Sequence, residues 1–304
     1  YESMTIRVRK SVATLFGLVF FCLPSAAQER EFPPLPPLND PPTELRLPGK
    51  FVWADLFTTD IAKARSFYTG LFGWDWRQVS SARSYGMFYQ DDIAVSGLAL
   101  RDPPDEGQAY GTWVYYASVD DVASVETAVA GRGGEALLPR RSMPERGEFA
   151  ILADPDGAIV GVLRSSSGDP GEFQAAVGEF IWYQLFTSKL DPATEFYQTV
   201  FGYDVYENED TPELLDYMLS SQGYSRAGVG LLPEDSESVP TWVGFVRVEN
   251  VAASVAEAER LGGKVLLPPA PERLGGDIAI VADPEGTPVG LLRWTYPETE
   301  EDEQ

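Results

Sequence analysis

One block of this sequence occurs twice, and the two copies are separated by a constant shift of 129 residues. The shift carries Phe51-Val52-Trp53 onto Phe180-Ile181-Trp182, and Ala153-Asp154-Pro155 onto Ala282-Asp283-Pro284. Two copies at so long a period are typical of duplicated domains, because solenoids use shorter units in larger number. We therefore expect two similar domains of about 115 residues each, a common domain size, and we expect the repeats to pair with each other.

Composition divides the chain into six segments. We predict a signal peptide over 1–27, a proline-rich linker over 28–49, a first domain over 50–165, a linker over 166–178, a second domain over 179–294 and an acidic tail over 295–304. The prolines of the first linker favour an extended, semi-rigid spacer. The second linker begins in small and polar residues that cannot form a core.

The N-terminal segment has the pattern of a secretory signal. Arg7, Arg9 and Lys10 precede an apolar run over residues 12–23, and Ser25-Ala26-Ala27 supplies small residues for cleavage before Gln28. This pattern predicts export to the periplasm or the medium. A short membrane anchor is the alternative, although the run is shorter than the roughly 20 apolar residues of a spanning helix.

Charge and cysteine content exclude several classes of function. Cleavage would remove three basic side chains and one acidic one, and would change the net charge from −24 to −26. So acidic a protein repels nucleic acid and anionic lipid surfaces, so we expect neither as a partner after cleavage. The single cysteine, Cys22, lies in the predicted signal, which excludes disulfides and thiolate catalysis from the mature chain.

Within each repeat the pattern of strand, helix and three strands occurs twice. In the first repeat, residues 51–57 predict a buried strand, Thr59 or Asp60 caps a helix, and Gly73 ends it. The pattern restarts at residues 112–119, where Asp121 caps the second helix. This order predicts an α+β fold in which two βαβββ modules per domain form a curved mixed sheet with helices on its outer face.

Three motifs resemble the vicinal oxygen chelate superfamily, which includes glyoxalases, bleomycin resistance proteins and extradiol dioxygenases. They are Phe67-Tyr68 with Leu71-Phe72-Gly73-Trp74, Val119-Asp120-Asp121-Val122, and Asp154-Pro155-Asp156-Gly157. The second repeat contains counterparts of all three at the corresponding positions. The resemblance covers nearly the whole chain outside its ends, and it implies two tandem glyoxalase-like domains.

The resemblance also identifies the positions at which metal-dependent members of the family have ligands. These positions fall on Ala54 and Tyr183 in the first strands, Val114 and Val243 in the middle strands, and Gly161 and Gly290 in the last strands. Only Tyr183 has a donor atom there, and the chain contains no histidine. A divalent cation needs several nitrogen or oxygen donors, so we expect no metal and no other cofactor.

Carboxylates elsewhere offer a weaker alternative. Asp55 and Gln184 lie one residue beyond the aligned positions, so strand alternation directs them to the opposite face. A strand bulge would be needed to bring them into the cavity. Asp154 and Asp283 precede glycines and are interpreted as turn residues.

A concave sheet without metal ligands can still bind a small molecule through aromatic and apolar walls. The candidate ligand-binding residues are Ala54, Val114, Tyr116, Gly161, Tyr183, Val243 and Gly290. Alternation places Tyr116 and Val52 on the cavity face, and it directs Trp53, Trp113, Trp182 and Trp242 toward the helix side. No catalytic residue is identified.

Three functions remain open from sequence. The first is an exported, metal-free protein that binds a small molecule. The second is an enzyme of the same superfamily, either a lyase or isomerase that uses Tyr183 or a dioxygenase-like enzyme with displaced carboxylate ligands. The third is a structural module in which the sheets pair and no pocket is left. Whether the protein is an enzyme is left undecided.

Overall fold

A computed structural model describes residues 35–80, 85–102, 111–208, 214–232 and 238–296. The predicted signal peptide, 1–27, and residues 297–304 of the acidic tail lie outside the described residues. Within the described part of the chain, no helix has the length and apolarity that crossing a membrane requires.

The first domain contains eight strands and two helices. They are β1 (Phe51–Thr58), α1 (Ile61–Phe72), β2 (Asp75–Ser80), β3 (Tyr85–Gln90), β4 (Ile93–Leu100), β5 (Thr112–Ser118), α2 (Val122–Gly131), β6 (Glu135–Met143), β7 (Gly147–Ala153) and β8 (Ile159–Ser165).

The second domain repeats the same order. Its elements are β9 (Phe180–Thr187), α3 (Leu190–Phe201), β10 (Asp204–Glu207), β11 (Tyr217–Ser221), β12 (Tyr224–Leu231), β13 (Thr241–Arg247), α4 (Val251–Arg260), β14 (Lys264–Leu267), β15 (Ile278–Ala282) and β16 (Pro288–Leu292).

Each domain forms one eight-stranded mixed sheet. The strand order is β2-β3-β4-β1-β5-β8-β7-β6 in the first domain and β10-β11-β12-β9-β13-β16-β15-β14 in the second. The two modules of the first domain join where β1 pairs antiparallel with β5, and those of the second join where β9 pairs with β13. The predicted α+β class and the two βαβββ modules per domain are confirmed.

Local sequence explains where the helices begin and end. The Asp60 side chain accepts a hydrogen bond from the backbone N–H of Lys63, and Gly73 ends α1 with a φ of 74°. Asp121 caps α2 in the same way through the N–H of Ser124. Both predicted caps of the first domain are therefore present.

A β-bulge near the start of β1 changes which side chains share a face. Phe51 pairs with Ala117 and Trp53 pairs with Tyr116, so Val52 is the extra residue. Strand β9 has the equivalent irregularity, because Trp182 pairs with Phe245 and Phe180 pairs with Val246. Beyond each bulge, the alternation of the strand is shifted by one residue.

The sheets bury their helix sides in one core that the two domains share. Residues of both domains belong to this cluster, among them Leu56, Phe67 and Trp113 of the first and Leu185, Phe196 and Trp242 of the second. The opposite side of each sheet forms a separate cluster that contains no helix residue. We call this side the helix-free face.

Reciprocal hydrogen bonds join the domains. The Tyr68 hydroxyl donates to Asp283 at 3.2 Å, and the Tyr197 hydroxyl donates to Asp154 at 3.1 Å. Asp154 also accepts from the N–H groups of Asp156 and Ala158. The two aspartates are therefore turn residues, as the sequence indicates, and they also contribute to the domain interface.

The described part of the first linker lies against both domains. Leu35 is buried in the helix-free cluster of the first domain, and the N–H of Thr43 donates to the carbonyl of Ser167. The Tyr203 hydroxyl of the second domain donates to the carbonyl of Gly49 at 2.6 Å. Residues 35–49 of the predicted linker therefore lie against the protein surface.

Candidate functional site

Five side chains form a buried polar cluster on the helix-free face of the first domain. We call it the domain-1 polar cluster, and its members are Trp53, Asp55, Tyr85, Tyr116 and Arg146. Asp55 and Arg146 are 7% and 3% exposed. Charged residues are rarely buried to this extent unless they are paired or bind a ligand.

Asp55 lies at the centre of the cluster. Its Oδ1 accepts from the indole Nε1 of Trp53 at 2.9 Å and from the hydroxyl of Tyr85 at 2.8 Å. The β1 bulge makes this possible, since Trp53 and Asp55 then share a face with their partners Tyr116 and Val114. The expectation that Asp55 points to the opposite face is therefore wrong.

A glycine in the intervening strand makes room for this hydrogen bond. Gly97 of β4 lies between Asp55 of β1 and Met87 of β3 in the sheet register. A Cβ at Gly97 would overlap both Asp55 Oδ1 and the Tyr85 hydroxyl. The absence of a side chain at residue 97 is thus what allows the phenol to reach the carboxyl group.

Arg146 supplies the positive charge of the cluster. The residue directly precedes β7, and its guanidinium carbon lies 4.4 Å from the centre of the Trp53 ring. Its Nε, Nη1 and Nη2 atoms are all buried without a hydrogen-bond partner among the described residues. Unsatisfied buried donors are rare in folded proteins, which makes this guanidinium a candidate for binding a ligand.

Burial controls the acid–base properties of the cluster. Loss of hydration raises the pKa of Asp55 above its usual 3.8, although hydrogen bonds from Trp53 and Tyr85 and the charge of Arg146 oppose the rise. Burial and the nearby Asp55 raise the pKa of Tyr85 and of Tyr116 well above 10.0. Both phenols therefore stay protonated at neutral pH.

The structure separates the seven predicted ligand-binding residues into two groups. Val114 and Tyr116 belong to the helix-free cluster of the first domain and Val243 to that of the second. Gly161 and Gly290 lie on the same faces, beneath the rings of Tyr116 and Phe245. Their role in ligand binding remains a prediction.

The other two residues lie on the helix face because of the bulges. Ala54 belongs to the shared core, and Tyr183 packs against that core with its ring 4.4 Å from the ring of Phe51. Neither residue therefore faces the cavity expected for it. Tyr183 instead lines a cleft between the domains.

The same shift changes the face on which two of the four tryptophans lie from the one predicted. Trp113 and Trp242 lie in the shared core, as expected. Trp53 and Trp182 lie on the helix-free faces, which differs from the expected helix side. The expected cavity-facing position of Val52 agrees with the structure.

The second domain lacks the polar cluster. The shift of 129 residues replaces Asp55 by Gln184, Tyr116 by Phe245 and Arg146 by Gly275. Leu215 lies over Gly228 where Tyr85 lies over Gly97. Gln184 is satisfied locally, since its Nε2 donates to the carbonyl of Leu214 and its Oε1 accepts from Trp182. The described residues of the second domain therefore have no equivalent of the Asp55–Arg146 cluster on this face.

Sequence reasoning missed Arg146 and Tyr85. Arg146 lies in the turn before β7, where no periodic pattern marks it, and the β1 bulge leaves no obvious signature in the sequence. A comparison of the two repeats could have found Arg146, because the equivalent position of the second repeat is a glycine, Gly275.

The residues present do not fit a divalent metal. The six family positions provide one oxygen donor, that of Tyr183, and this residue lies on the other face of its sheet. Among the described residues, no group of three or more histidine, cysteine, aspartate or glutamate side chains is arranged to hold an ion. Asp55 is a single carboxyl group, and its Oδ1 already accepts hydrogen bonds from Trp53 and Tyr85.

The fold and the site define a protein of two tandem domains, each of two βαβββ modules, in which the first domain has a buried polar cluster. The family model of the Glyoxalase/Bleomycin resistance protein/Dioxygenase superfamily matches residues 50–162 and 179–291. The chain therefore belongs to this superfamily.

Sequence relatives match most of the chain. A putative glyoxylase, CFP32, from Mycobacterium bovis is 29% identical over 245 residues, which cover 79% of this chain and 93% of the relative. The anthracycline biosynthesis protein DnrV from Streptomyces peucetius is 29% identical over 277 residues, which cover 82% and 96%.

Solved structures share the fold. The 2,3-dioxygenase LapB from Pseudomonas sp. KL28 aligns with a TM-score of 0.56 at 14% identity, over 84% of this chain and 96% of LapB. The Mn(II)-bound glyoxalase from Novosphingobium aromaticivorans aligns with a TM-score of 0.52 at 14% identity, over 82% and 83%. At this identity the similarity establishes the fold alone.

Proposed function

We propose that this is an exported, metal-independent small-molecule-binding protein whose ligand binds on the helix-free face of the first domain. The observation that carries the proposal is the Arg146 guanidinium, which is 3% exposed and has no hydrogen-bond partner among the described residues. An unpaired charge at such depth costs several kcal/mol unless a partner offsets it. A bound ligand would be that partner.

The cluster indicates the chemistry of the ligand. A guanidinium presents its donors in a planar fork, which suits a carboxylate or two adjacent oxygen atoms. Trp53 already stacks on Arg146 and offers an aromatic surface. Asp55 adds a polar group that can accept a proton, because burial raises its pKa. We infer a small aromatic compound that carries a carboxylate or vicinal oxygens.

Arg146 would also explain how such a ligand binds without a metal. Metal-dependent binding holds ligand oxygens by a cation, and the guanidinium supplies a fixed positive charge on the same face of the sheet as Val114 and Gly161. In this proposal the positive charge comes from the chain itself, so binding does not depend on an ion.

Calorimetric titration with salicylate and 3,4-dihydroxyphenylacetate in the presence of EDTA tests the proposal. The latter compound is named in the complex of a structural neighbour, a homoprotocatechuate 2,3-dioxygenase. We expect Arg146→Met to weaken binding about 10- to 100-fold, as for the loss of a charged hydrogen bond. Arg141→Met changes an exposed arginine of β6 and is the matched control.

Two results would count against the proposal. Equal affinities of the Arg146 and Arg141 variants would show that the Arg146 guanidinium does not bind the ligand. Binding that disappears with EDTA and returns with a divalent cation would show that a metal is required.

Export is supported by the N-terminal sequence alone. The intact mass of the protein from its own host should correspond to a chain that begins at Gln28. A mass that includes the apolar run over residues 12–23 would instead favour a retained membrane anchor.

A metal-free lyase or isomerase is the second candidate, and the raised pKa of Asp55 favours it. A carboxyl group shifted toward neutrality beside two protonated phenols is suited to general acid–base chemistry. Tyr183 is less suited, since burial raises its pKa and keeps the phenol protonated. Conversion of a bound compound by the wild type but not by Asp55→Asn would favour this candidate over simple binding.

A further inference from the structure

A cleft of about 790 Å³ opens between the two domains. Its walls are the first residues of β1 and β9, the first residues of β4 and β12, and residues 170–176 of the linker. The volume lies within the range of ligand pockets, about 300–1,000 Å³. The hypothesis of a structural module, in which the sheets pair and no pocket is left, does not predict this cleft.

Corresponding parts of the two repeats build the cleft. Phe51, Val52 and Trp53 face it from one domain, and their equivalents Phe180, Ile181 and Trp182 face it from the other. The site therefore requires both domains and the linker that joins them. It is distinct from the domain-1 polar cluster, although Trp53 contributes to both.

Apolar side chains are exposed on the walls of the cleft. Ile93, Phe173 and Tyr224 are 61%, 64% and 51% exposed, and all three line the cleft. Each belongs to a different segment: the start of β4, the linker and the start of β12. An apolar surface that remains uncovered around a cavity is typical of a binding site.

The cleft also contains a network of opposite charges. Glu172 of the linker bridges Arg226 at 2.7 Å and Lys50 at 3.2 Å. The Arg226 side chain is 4% exposed, its Nε donates to Ser221, and its Nη2 is buried without a partner among the described residues. Glu179, the other acidic residue that lines the cleft, accepts from the N–H of Ala176.

Glu172 and Phe173 show what kind of ligand the cleft suits. The Glu172 carboxylate occupies the space between two cations, and the next residue places its ring 5.3 Å from Lys50. A carboxylate attached to an aromatic ring reproduces this pair, and Arg226 retains one free donor for it. Aromatic walls and a buried guanidinium are complementary to such a compound.

We propose that the cleft between the domains is a second ligand site, which binds an aromatic monocarboxylate through Arg226 and Lys50. The ring lies between the aromatic side chains of the two domains. The carboxylate competes with Glu172 for the two cations, so this linker residue weakens ligand binding to the cleft. Binding in the cleft does not displace a ligand from the polar cluster.

Calorimetric titration of the full chain with 2-naphthoate tests this site. We expect Arg226→Met to weaken binding about tenfold or more, as for a lost charged hydrogen bond, and Glu172→Gln to strengthen it several-fold. Phe173→Ala changes an exposed ring, so it should fold normally and still lose affinity. Arg141→Met is the neutral control, and uncharged 2-naphthol should bind more weakly than 2-naphthoate.

If Arg226→Met fails to fold, the gain of affinity expected for Glu172→Gln still tests the site. No binding of 2-naphthoate, or an unchanged affinity in Glu172→Gln and Phe173→Ala, would overturn the proposal. Loss of binding in Arg146→Met but not in Arg226→Met would assign the probe to the polar cluster and would also overturn it.

Discussion

At the scale of single residues, the first domain buries two opposite charges on its helix-free face. Asp55 has hydrogen-bond donors around it, whereas the guanidinium of Arg146 lies against the Trp53 ring in the field of the carboxyl group. All three guanidinium nitrogens are buried without a hydrogen-bond partner among the described residues, so the hydrogen-bonding capacity of the arginine is unused. This unused capacity is the reason to expect an oxygen-bearing ligand.

The raised pKa of Asp55 predicts how stability depends on pH. A carboxyl group whose pKa is higher in the folded state binds its proton more tightly there, so the folded state loses stability as pH rises from 3.8 through the folded pKa. Asp55→Asn removes this loss but keeps an oxygen that accepts from Trp53 and Tyr85. The stability of the variant relative to the wild type should therefore increase with pH.

Urea unfolding of both proteins between pH 3 and pH 8 measures this difference. Asp75→Asn, which changes an exposed aspartate at the start of β2, is the control and should show no such trend. A difference between Asp55→Asn and wild type that stays constant over this range would show that the carboxyl group is not perturbed.

At the scale of elements, the bulge in β1 and the glycine of β4 together assemble the polar cluster. The bulge brings Asp55 onto the face that carries Tyr116, and Gly97 leaves space for the hydrogen bond from Tyr85. Neither strand could be recognised as unusual from its hydrophobic pattern, because buried strands are apolar on both faces.

Gly97→Ala tests the role of this close approach. The added methyl group would overlap the carboxyl oxygen and the phenol, so we expect the free energy of unfolding to fall by about 2–4 kcal/mol. Gly131→Ala is the matched control: it lies in α2, no atom lies within 4 Å of the added Cβ, and alanine favours helix by up to ~1 kcal/mol. Equal stabilities of the two variants would contradict this account of β4.

The elements themselves follow closely from the sequence. Asp60, Asp121 and Gly73 mark helix ends by local chemistry, and the structure has these ends where the sequence predicts them. Side-chain direction is harder to predict, since one extra residue in β1 reverses every position after it. For this reason the alternation of the sequence predicts the wrong face for Ala54 and Tyr183, and it does not place Asp55 in the site.

At the scale of the whole molecule, the two domains form one interlocked unit. They share a core, and Asp154 and Asp283 each accept a hydrogen bond from a tyrosine of the other domain. Residues 35–49 contact both the linker over residues 166–178 and the second domain, through hydrogen bonds such as that from the Tyr203 hydroxyl to the Gly49 carbonyl. The tandem arrangement follows from the repeat, whereas these long-range contacts have no signal in the sequence.

The two repeats differ on their helix-free faces. The first domain has the polar cluster, and the second has Gln184, Phe245 and Gly275 in place of Asp55, Tyr116 and Arg146. Both domains nevertheless build the cleft between them. We thus propose two sites of different chemistry in a single chain, a polar one in the first domain and an aromatic one at the domain boundary.

Native mass spectrometry of the protein purified from its own host tests the central claim most directly. We expect a polypeptide free of divalent metal, which binds salicylate or 3,4-dihydroxyphenylacetate in a way that depends on Arg146. A divalent ion bound in a one-to-one ratio, and required for that binding, would contradict it.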